Sequence, residues 1–210
     1  MKLLILGATG ATGRHLVDQA LAAGHEVTVL VRDAAGVTTR HPKLTVVAGR
    51  ATVEADVDPV VRGQDAVLST LGPRSKSDTV CPEAAQALVT AMKAHGVKRV
   101  IWLSASGVGD SRQAINDASF VFGKIIIPLL LSRPYANHAA AEEILRASGL
   151  DWTVLRPMQL IDVPTGKSPA AVSKDTKPPG LKVARQDVAA FMLRELAEGT
   201  WIGQMPLVYA

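Results

Sequence analysis

Cysteine is all but absent from the chain. The lone Cys81 cannot close an intramolecular disulfide, and its sequence neighbours offer no base that would make it a catalytic thiol. A reducing, cytoplasmic setting is the expectation. Aromatic residues make up only 4% of the 210 positions, so the core must be built from Leu, Val, Ile and Ala. Long apolar runs are missing as well. Leu3-Leu4-Ile5-Leu6 stops at Gly7, short of the roughly 7 to 15 residues of a signal-peptide core. Ile125-Ile126-Ile127-Pro128-Leu129-Leu130-Leu131 falls far below the about 20 residues that span a bilayer. No leader and no membrane association are expected. The 23 Lys and Arg against 19 Asp and Glu leave a charge of +4, but the basic residues are scattered. Nucleic-acid binding would need a basic stripe with aromatic stacking platforms, and neither is present. No metal is expected, and no repeat or low-complexity tail is found.

What is present is an alternation of strand-like and helix-period segments, the pattern of βαβ units in a parallel sheet. Residues 2–6, 27–31, 44–48, 66–69, 97–103 and 152–155 read as six strands, mostly continuous apolar runs suited to burial on both faces. Leu16, Val17, Ala20 and Leu21 predict a helix over 12–23, ended by Gly24. Ala84, Ala87, Leu88, Ala91 and Met92 predict another ending near Gly96, with Pro82 in its first turn. Ala140, Ala141, Ile144 and Leu145 mark a helix closed by Gly149. Val188, Phe191, Met192 and Leu196 mark the last. A helix between the third and fourth strands is weakly written. Residues 205–209 predict an added edge strand, and 162–182 hold too many Pro and Gly for a long regular element. The predicted fold is α/β: a Rossmann fold, with a doubly wound, mostly parallel sheet and helices on both faces. One domain spans 1–210, with 104–136 and 158–184 as substrate-side loops.

Gly7-Ala8-Thr9-Gly10-Ala11-Thr12-Gly13 lies where the first strand turns into the first helix. Side chains there would hold a pyrophosphate away from the main chain. Without them the phosphates meet unpaired N–H groups and the positive end of the helix dipole. A tight glycine turn is the plainer alternative, but the strand–turn–helix context and a second strand ending about 20 residues later favour a dinucleotide. That second strand ends in Val31-Arg32-Asp33. Arg32 presents a planar fork to the 2′-phosphate of NADP, whereas Asp33 would accept the ribose hydroxyls of NAD. NADP(H) is favoured over NAD(H), unless Asp33 faces the ribose. Arg14 either adds a second positive charge to this pocket or is a solvated helix residue.

These residues resemble the atypical short-chain dehydrogenase/reductase group, specifically its small NAD(P)H-binding members, the NmrA-like proteins and biliverdin IXβ/flavin reductases. The likeness rests on the glycine turn and on Glu26-Val27-Thr28-Val29-Leu30-Val31-Arg32-Asp33 and Gly63-Gln64-Asp65-Ala66-Val67. It continues through Ala91-Met92-Lys93-Ala94-His95-Gly96-Val97 and Ser148-Gly149-Leu150-Asp151-Trp152-Thr153-Val154-Leu155-Arg156-Pro157. The resemblance implies that Thr9, Gly10, Ala11 and Thr12 hold pyrophosphate and that Arg32 holds the 2′-phosphate. It implies that Leu71 and Gly72 border adenosine. Leu103, Ser104 and Ala105, with Pro157, Met158 and Gln159, would flank the nicotinamide. Two departures stand out. Gly49 is followed by Arg50 where the group often has Asp, and the Tyr-x-x-x-Lys pair is missing, because Ala139 stands four residues beyond Tyr135. Without that lysine the tyrosine lacks the cation that lowers its pKa for proton transfer.

Three side chains are candidates for catalysis. Ser104 either hydrogen-bonds a flavin or carbonyl oxygen or simply satisfies backbone at a strand end. Tyr135 and His138 stand at the start of the helix before the sixth strand. His138 matches a histidine of the flavin reductases, and an unperturbed pKa near 6.5 would let it protonate a product; otherwise it is a surface histidine. The apolar block Phe120, Phe122, Ile125, Ile126, Ile127, Leu129, Leu130 and Leu131 is either a platform for a planar substrate or core and dimer contact. The leading reading is an NADPH-dependent reductase passing hydride to a small planar acceptor such as a flavin, quinone, azo compound or tetrapyrrole, in a monomer or homodimer. A non-catalytic NADP(H)-binding redox sensor is the alternative, and a sugar-nucleotide epimerase or dehydratase stands third.

Overall fold

The computed structural model describes residues 1–73, 75, 78–118 and 132–210. Strand β1 (Lys2–Leu6) carries Leu3, Leu4, Ile5 and Leu6 with no exposed surface. Because successive side chains of a strand point to opposite faces, this run needs a hydrophobic layer on each side. Leu3 and Ile5 join one buried cluster with Leu16, Val17, Ala20 and Leu21 of helix α1 (Ala11–Ala22) and Val188, Phe191 and Met192 of α6 (Arg185–Glu198). Leu4 and Leu6 join a second cluster on the opposite face. Its helices are α2 (Glu54–Val61), α3 (Val80–His95) and α5 (Ser132–Arg146). Full burial of each such side chain contributes about 1.5–3 kcal/mol, so the two layers hold the sheet from both sides.

The remaining strands are β2 (Glu26–Val31), β3 (Leu44–Ala48), β4 (Ala66–Ser69), β5 (Arg99–Leu103), β6 (Asp151–Pro157), β7 (Gln159–Ile161), β8 (Ala170–Val172), β9 (Lys182–Ala184) and β10 (Leu207–Tyr209). The main sheet runs in the order β3-β2-β1-β4-β5-β6-β10-β8 and is parallel except for the β10–β8 pair. Its first six strands have the 3-2-1-4-5-6 order of a Rossmann sheet, with the order reversing between β1 and β4. The fold is therefore the doubly wound single domain read from the sequence. α3 ends on Gly96 in the left-handed region (φ 67°), where the Val97 N–H donates to the Met92 carbonyl at 3.0 Å.

Two expectations change. Residues 205–209 do not form an edge strand: β10 lies inside, parallel to β6 and antiparallel to β8, and β8 takes the edge. Residues 162–182 hold no long regular element, only the three-residue β8 and the first residue of β9, which pairs with β7. Of residues 104–136, 112–118 form the short helix α4 (Arg112–Ala118) and the last five begin α5. The block from Phe120 to Leu131 lies outside the described residues. Among the described residues no helix is long and apolar enough to cross a membrane.

Candidate dinucleotide site

The glycine turn is shaped by contacts that leave no room for side chains. Gly7 has φ 83°, and a Cβ there would lie 2.6 Å from Thr70 Oγ1. A Cβ on Gly13 would fall 2.1 Å from the Gly7 carbonyl oxygen, so glycine at 13 lets α1 start against the end of β1. Gly10 is different: its Cβ would meet only the Gly7 oxygen, at 3.2 Å. The Gly10 N–H donates to that oxygen at 2.9 Å, and no side chain caps the helix that Gly10 begins. The helix start thus has no side-chain cap, the arrangement an anion site requires. Thr70, just past β4, was not singled out in the sequence. Its hydroxyl lies 3.2 Å from both the Leu6 and Gly7 carbonyls and ties the turn to the next strand.

Beside this turn, outside the carboxyl ends of β1 to β4, opens a cavity of about 500 Å³. Gly7, Thr9, Gly10, Arg32, Leu71 and Gly72 line it, as do Arg50, Thr70, Asp78, Val80 and Glu83. Six of the predicted cofactor residues therefore meet in one pocket at the reversal of strand order. Ala8, Thr12 and Gly13 are buried behind the turn, while Ala11 and Arg14 are exposed on α1. Asp33 does not line the cavity. Its carboxylate accepts the Ala35 N–H at 2.9 Å and caps a 3-10 turn, leaving Arg32 as the strand-tip residue that faces the ligand space.

The second half of the predicted site lies at the ends of β5 and β6. Leu103 pairs with Leu155, Ser104 N–H donates to the Leu155 carbonyl at 2.8 Å, and Met158 N–H donates to the Val208 carbonyl at 2.8 Å. Leu103, Ser104, Ala105, Pro157, Met158 and Gln159 are thereby set side by side, with only Gln159 exposed. Tyr135 packs against Met158, Ala114, Ile115 and Leu207.

The three catalytic candidates have environments that differ from the expectation. Ser104 is buried, and its hydroxyl donates to Glu142 Oε1 at 2.6 Å rather than pointing its proton at a ligand. Glu142 is in turn gripped by the wholly buried Arg156, whose Nε lies 3.0 Å from Oε1 and whose other nitrogen lies 2.6 Å from Oε2. Arg156 also reaches Asp110 at 2.6 Å. Desolvation works against the Arg156 charge, but the bonds and charges of Glu142 and Asp110 outweigh it and raise its pKa. Partial burial would raise the Asp110 pKa, yet Arg156 and Lys174 together hold it below the ordinary carboxylate value. Glu142 and Arg156 form a buried ion pair, between α5 and β6, that has no local sequence signal.

His138 is not a surface histidine with an ordinary pKa. It is buried, and desolvation pushes it down to about 4, so the imidazole is neutral at pH 7. It backs the cavity wall, with Gly72 facing its Cε1 and Nε2. A base does stand beside Cys81, since His138 Nδ1 is 3.9 Å from Sγ. Burial nevertheless raises the thiol to about 12, which removes the thiolate chemistry requires. Burial also raises Tyr135 to about 12, and its hydroxyl keeps its proton. Among the described residues no group of His, Cys, Asp and Glu is arranged to hold a metal.

Fold and site together define a Rossmann-type protein with a site shaped for a dinucleotide. Residues 7–199 match the family described as NAD(P)H-binding, and the chain belongs to it. It is 30% identical over 177 residues to an uncharacterized chloroplastic protein of Arabidopsis thaliana, covering 79% of this chain and 61% of that one. It is 31% identical over 156 residues to (4-alkanoyl-5-oxo-2,5-dihydrofuran-3-yl)methyl phosphate reductase of Streptomyces griseus, covering 74% of this chain and 46% of the reductase. The chain thus spans about half to three fifths of the length of these two relatives. In fold it is similar to a short-chain dehydrogenase/reductase from Veillonella parvula solved in complex with NADP. The TM-score is 0.84 and the identity 18%, with 100% of this chain and 94% of that chain covered.

Proposed function

We propose that this chain is an NADPH-dependent reductase that passes hydride to a planar, electron-poor acceptor such as a flavin, quinone, azo compound or linear tetrapyrrole. The observation that carries the cofactor choice is the division of labour at the tip of β2. Arg32 lines the cavity, and Asp33 is committed to the Ala35 N–H. A guanidinium suits a 2′-phosphate, and a carboxylate that is already engaged offers little to ribose hydroxyls. The bare start of α1 fits a pyrophosphate, with Ala8, Thr9, Ala11 and Thr12 around it and Arg14 adding positive charge from the first turn. Leu103, Ser104, Ala105, Pro157, Met158 and Gln159 are proposed to flank the nicotinamide, which supplies the hydride when bound. Residues 104–136 and 158–184 then form the acceptor side.

The acceptor class follows from what the proton-handling groups can do. Tyr135 has Ala139 where a lysine would lower its pKa, Ser104 is held by Glu142, and His138 is neutral. Alcohol and ketone chemistry needs a well-placed proton donor, whereas direct hydride transfer to a flavin-like ring needs proximity and a dry surface. The reductase name of the Streptomyces relative agrees with this direction of transfer. The test is to mix the protein with NADPH and FMN and follow the nicotinamide absorbance. Loss well above the buffer rate is expected, and a rate equal to buffer removes the proposal.

The same weak proton-handling set also favours a second reading, an NADP(H)-binding redox sensor without turnover. Tight cofactor binding with no turnover across an acceptor panel, together with a partner protein recovered by pull-down, would select it.

A further inference from the structure

β2 and β3 run parallel, with Val31 opposite Ala48, and the Gly49 N–H donates to the Val31 carbonyl at 2.8 Å. Arg32 therefore leaves β2 one residue beyond this pair and Arg50 leaves β3 two beyond it. The two strands are about 4.8 Å apart, so the side chains start from neighbouring points on one wall of the 500 Å³ cavity, which both line. Both arginines are exposed, and among the described residues neither guanidinium is paired with a carboxylate.

The backbone that carries Arg50 is fixed. Asp56 Oδ2 accepts the Arg50 N–H at 2.8 Å, and Gly49 lets α2 pack closely, since a Cβ there would lie 2.8 Å from Leu30 Cδ1 and 3.1 Å from Asp56 Cβ. The carboxylates that also line the cavity belong to the opposite wall, at the start of α3. Glu83 accepts the Thr79 hydroxyl at 2.6 Å, and Asp78 accepts the Val80 N–H at 3.0 Å. Two unpaired guanidinium groups on adjacent strand tips repel each other, and a dianion between them removes that cost and takes a fork from each side.

We propose that Arg50 is a second 2′-phosphate ligand, which with Arg32 forms a two-arginine clamp that makes the cavity select phosphorylated over unphosphorylated dinucleotide. This rests on the NADP(H) reading of the same cavity. It gives Arg50 a defined role where the resemblance leads one to expect an acidic residue. A guanidinium lying flat on the adenine would serve both dinucleotides equally; a phosphate ligand serves only one.

The test is calorimetric titration of NADPH, NADH and adenosine 2′,5′-bisphosphate into the wild type, Arg50→Ala, Arg32→Ala and the double variant, with circular dichroism to verify the fold. Arg50→Ala is expected to weaken NADPH and the bisphosphate by about tenfold or more. NADH should change by less than about threefold, as no charged bond to it is lost. The losses of the two single variants should not add, because both groups hold one anion. Equal loss for NADPH and NADH, or no loss for either, would overturn the clamp while leaving the NADP(H) site standing. Wild-type protein that binds no dinucleotide would overturn the site reading itself, and wild type that binds NADH as tightly as NADPH would overturn both the preference and the clamp.

Discussion

The Ser104 hydroxyl donates to Glu142 at 2.6 Å, and this bond places a strand-end serine on the buried Glu142–Arg156 ion pair. Both charges are almost wholly desolvated, with 2% and 0% of the side chains exposed. Removing one partner leaves the other charge in a poorly solvating interior. Glu142→Ala is therefore expected to cost about 3–5 kcal/mol of stability. Glu142→Leu combined with Arg156→Met should recover most of that, because apolar residues of similar volume leave no orphaned buried charge, and Asp110, which loses Arg156, is partly exposed and keeps Lys174. Urea unfolding midpoints at constant m-value measure both. A single variant as stable as wild type would contradict the pairing.

His138 makes stability depend on pH in a defined direction. Its pKa is lowered from 6.5 to about 4 by burial, so the unfolded chain binds a proton at pH values where the folded one does not. Its contribution is fully present above about pH 6.5 and is lost as pH falls toward 4, on the order of 3 kcal/mol in total. His138→Gln should flatten the stability profile in that window. An unchanged slope between pH 4 and 6.5 would show that His138 is not the titrating group.

Sequence patterns made the first part of the fold readable for a physical reason. β1, β2 and β4 are buried on both faces, so their apolar runs are continuous, and Gly7 and Gly13 of the turn each answer a steric demand at one position. α2 is faint because it is only eight residues long and contains Pro59. The first half of α5 is hidden because its buried side chains, Asn137 and His138, are polar and face a distant segment, Asn137 accepting the Cys81 N–H and His138 standing beside the Cys81 thiol. β10 is placed inside the sheet by pairing with β8, some 35 residues earlier, a register that no local pattern encodes. The same holds for the site. The glycine turn and Arg32 are local, whereas Ser104, Glu142, Arg156 and Asp110 come from four separate segments.

Tyr135 is the nearest group to a conventional proton donor, and its burial sets a limit on that role. With its pKa raised to about 12 and no lysine at position 139, the hydroxyl is a weak acid throughout the working range. A positioned general acid is usually worth 100- to 10,000-fold, roughly speaking. Tyr135→Phe is expected to lower kcat/KM for FMN reduction by less than about tenfold, because hydride transfer to the flavin does not wait for a tyrosine proton. A loss of about 100-fold or more, with a changed pH profile, would make Tyr135 the acid and would move the acceptor class toward carbonyl compounds.

Gly10 and Gly13 separate cofactor binding from folding. A Cβ at Gly13 would lie 2.1 Å from the Gly7 carbonyl oxygen, a distance that backbone cannot absorb without moving α1 from β1. Gly13→Ala should therefore unfold or strongly destabilise the chain, seen as lost soluble yield or a melting temperature lowered by many degrees. At Gly10 the backbone has φ −76°, which any residue adopts, and the added Cβ would meet only one atom, at 3.2 Å. Gly10→Ala should fold, and its methyl group would stand at the open end of α1, where the pyrophosphate must approach the main chain. Its melting temperature should stay near that of wild type, while NADPH affinity falls by about tenfold or more. A folded Gly10→Ala protein with unaltered affinity would mean that the phosphates bind elsewhere, since no other change tests the approach to this helix start so directly.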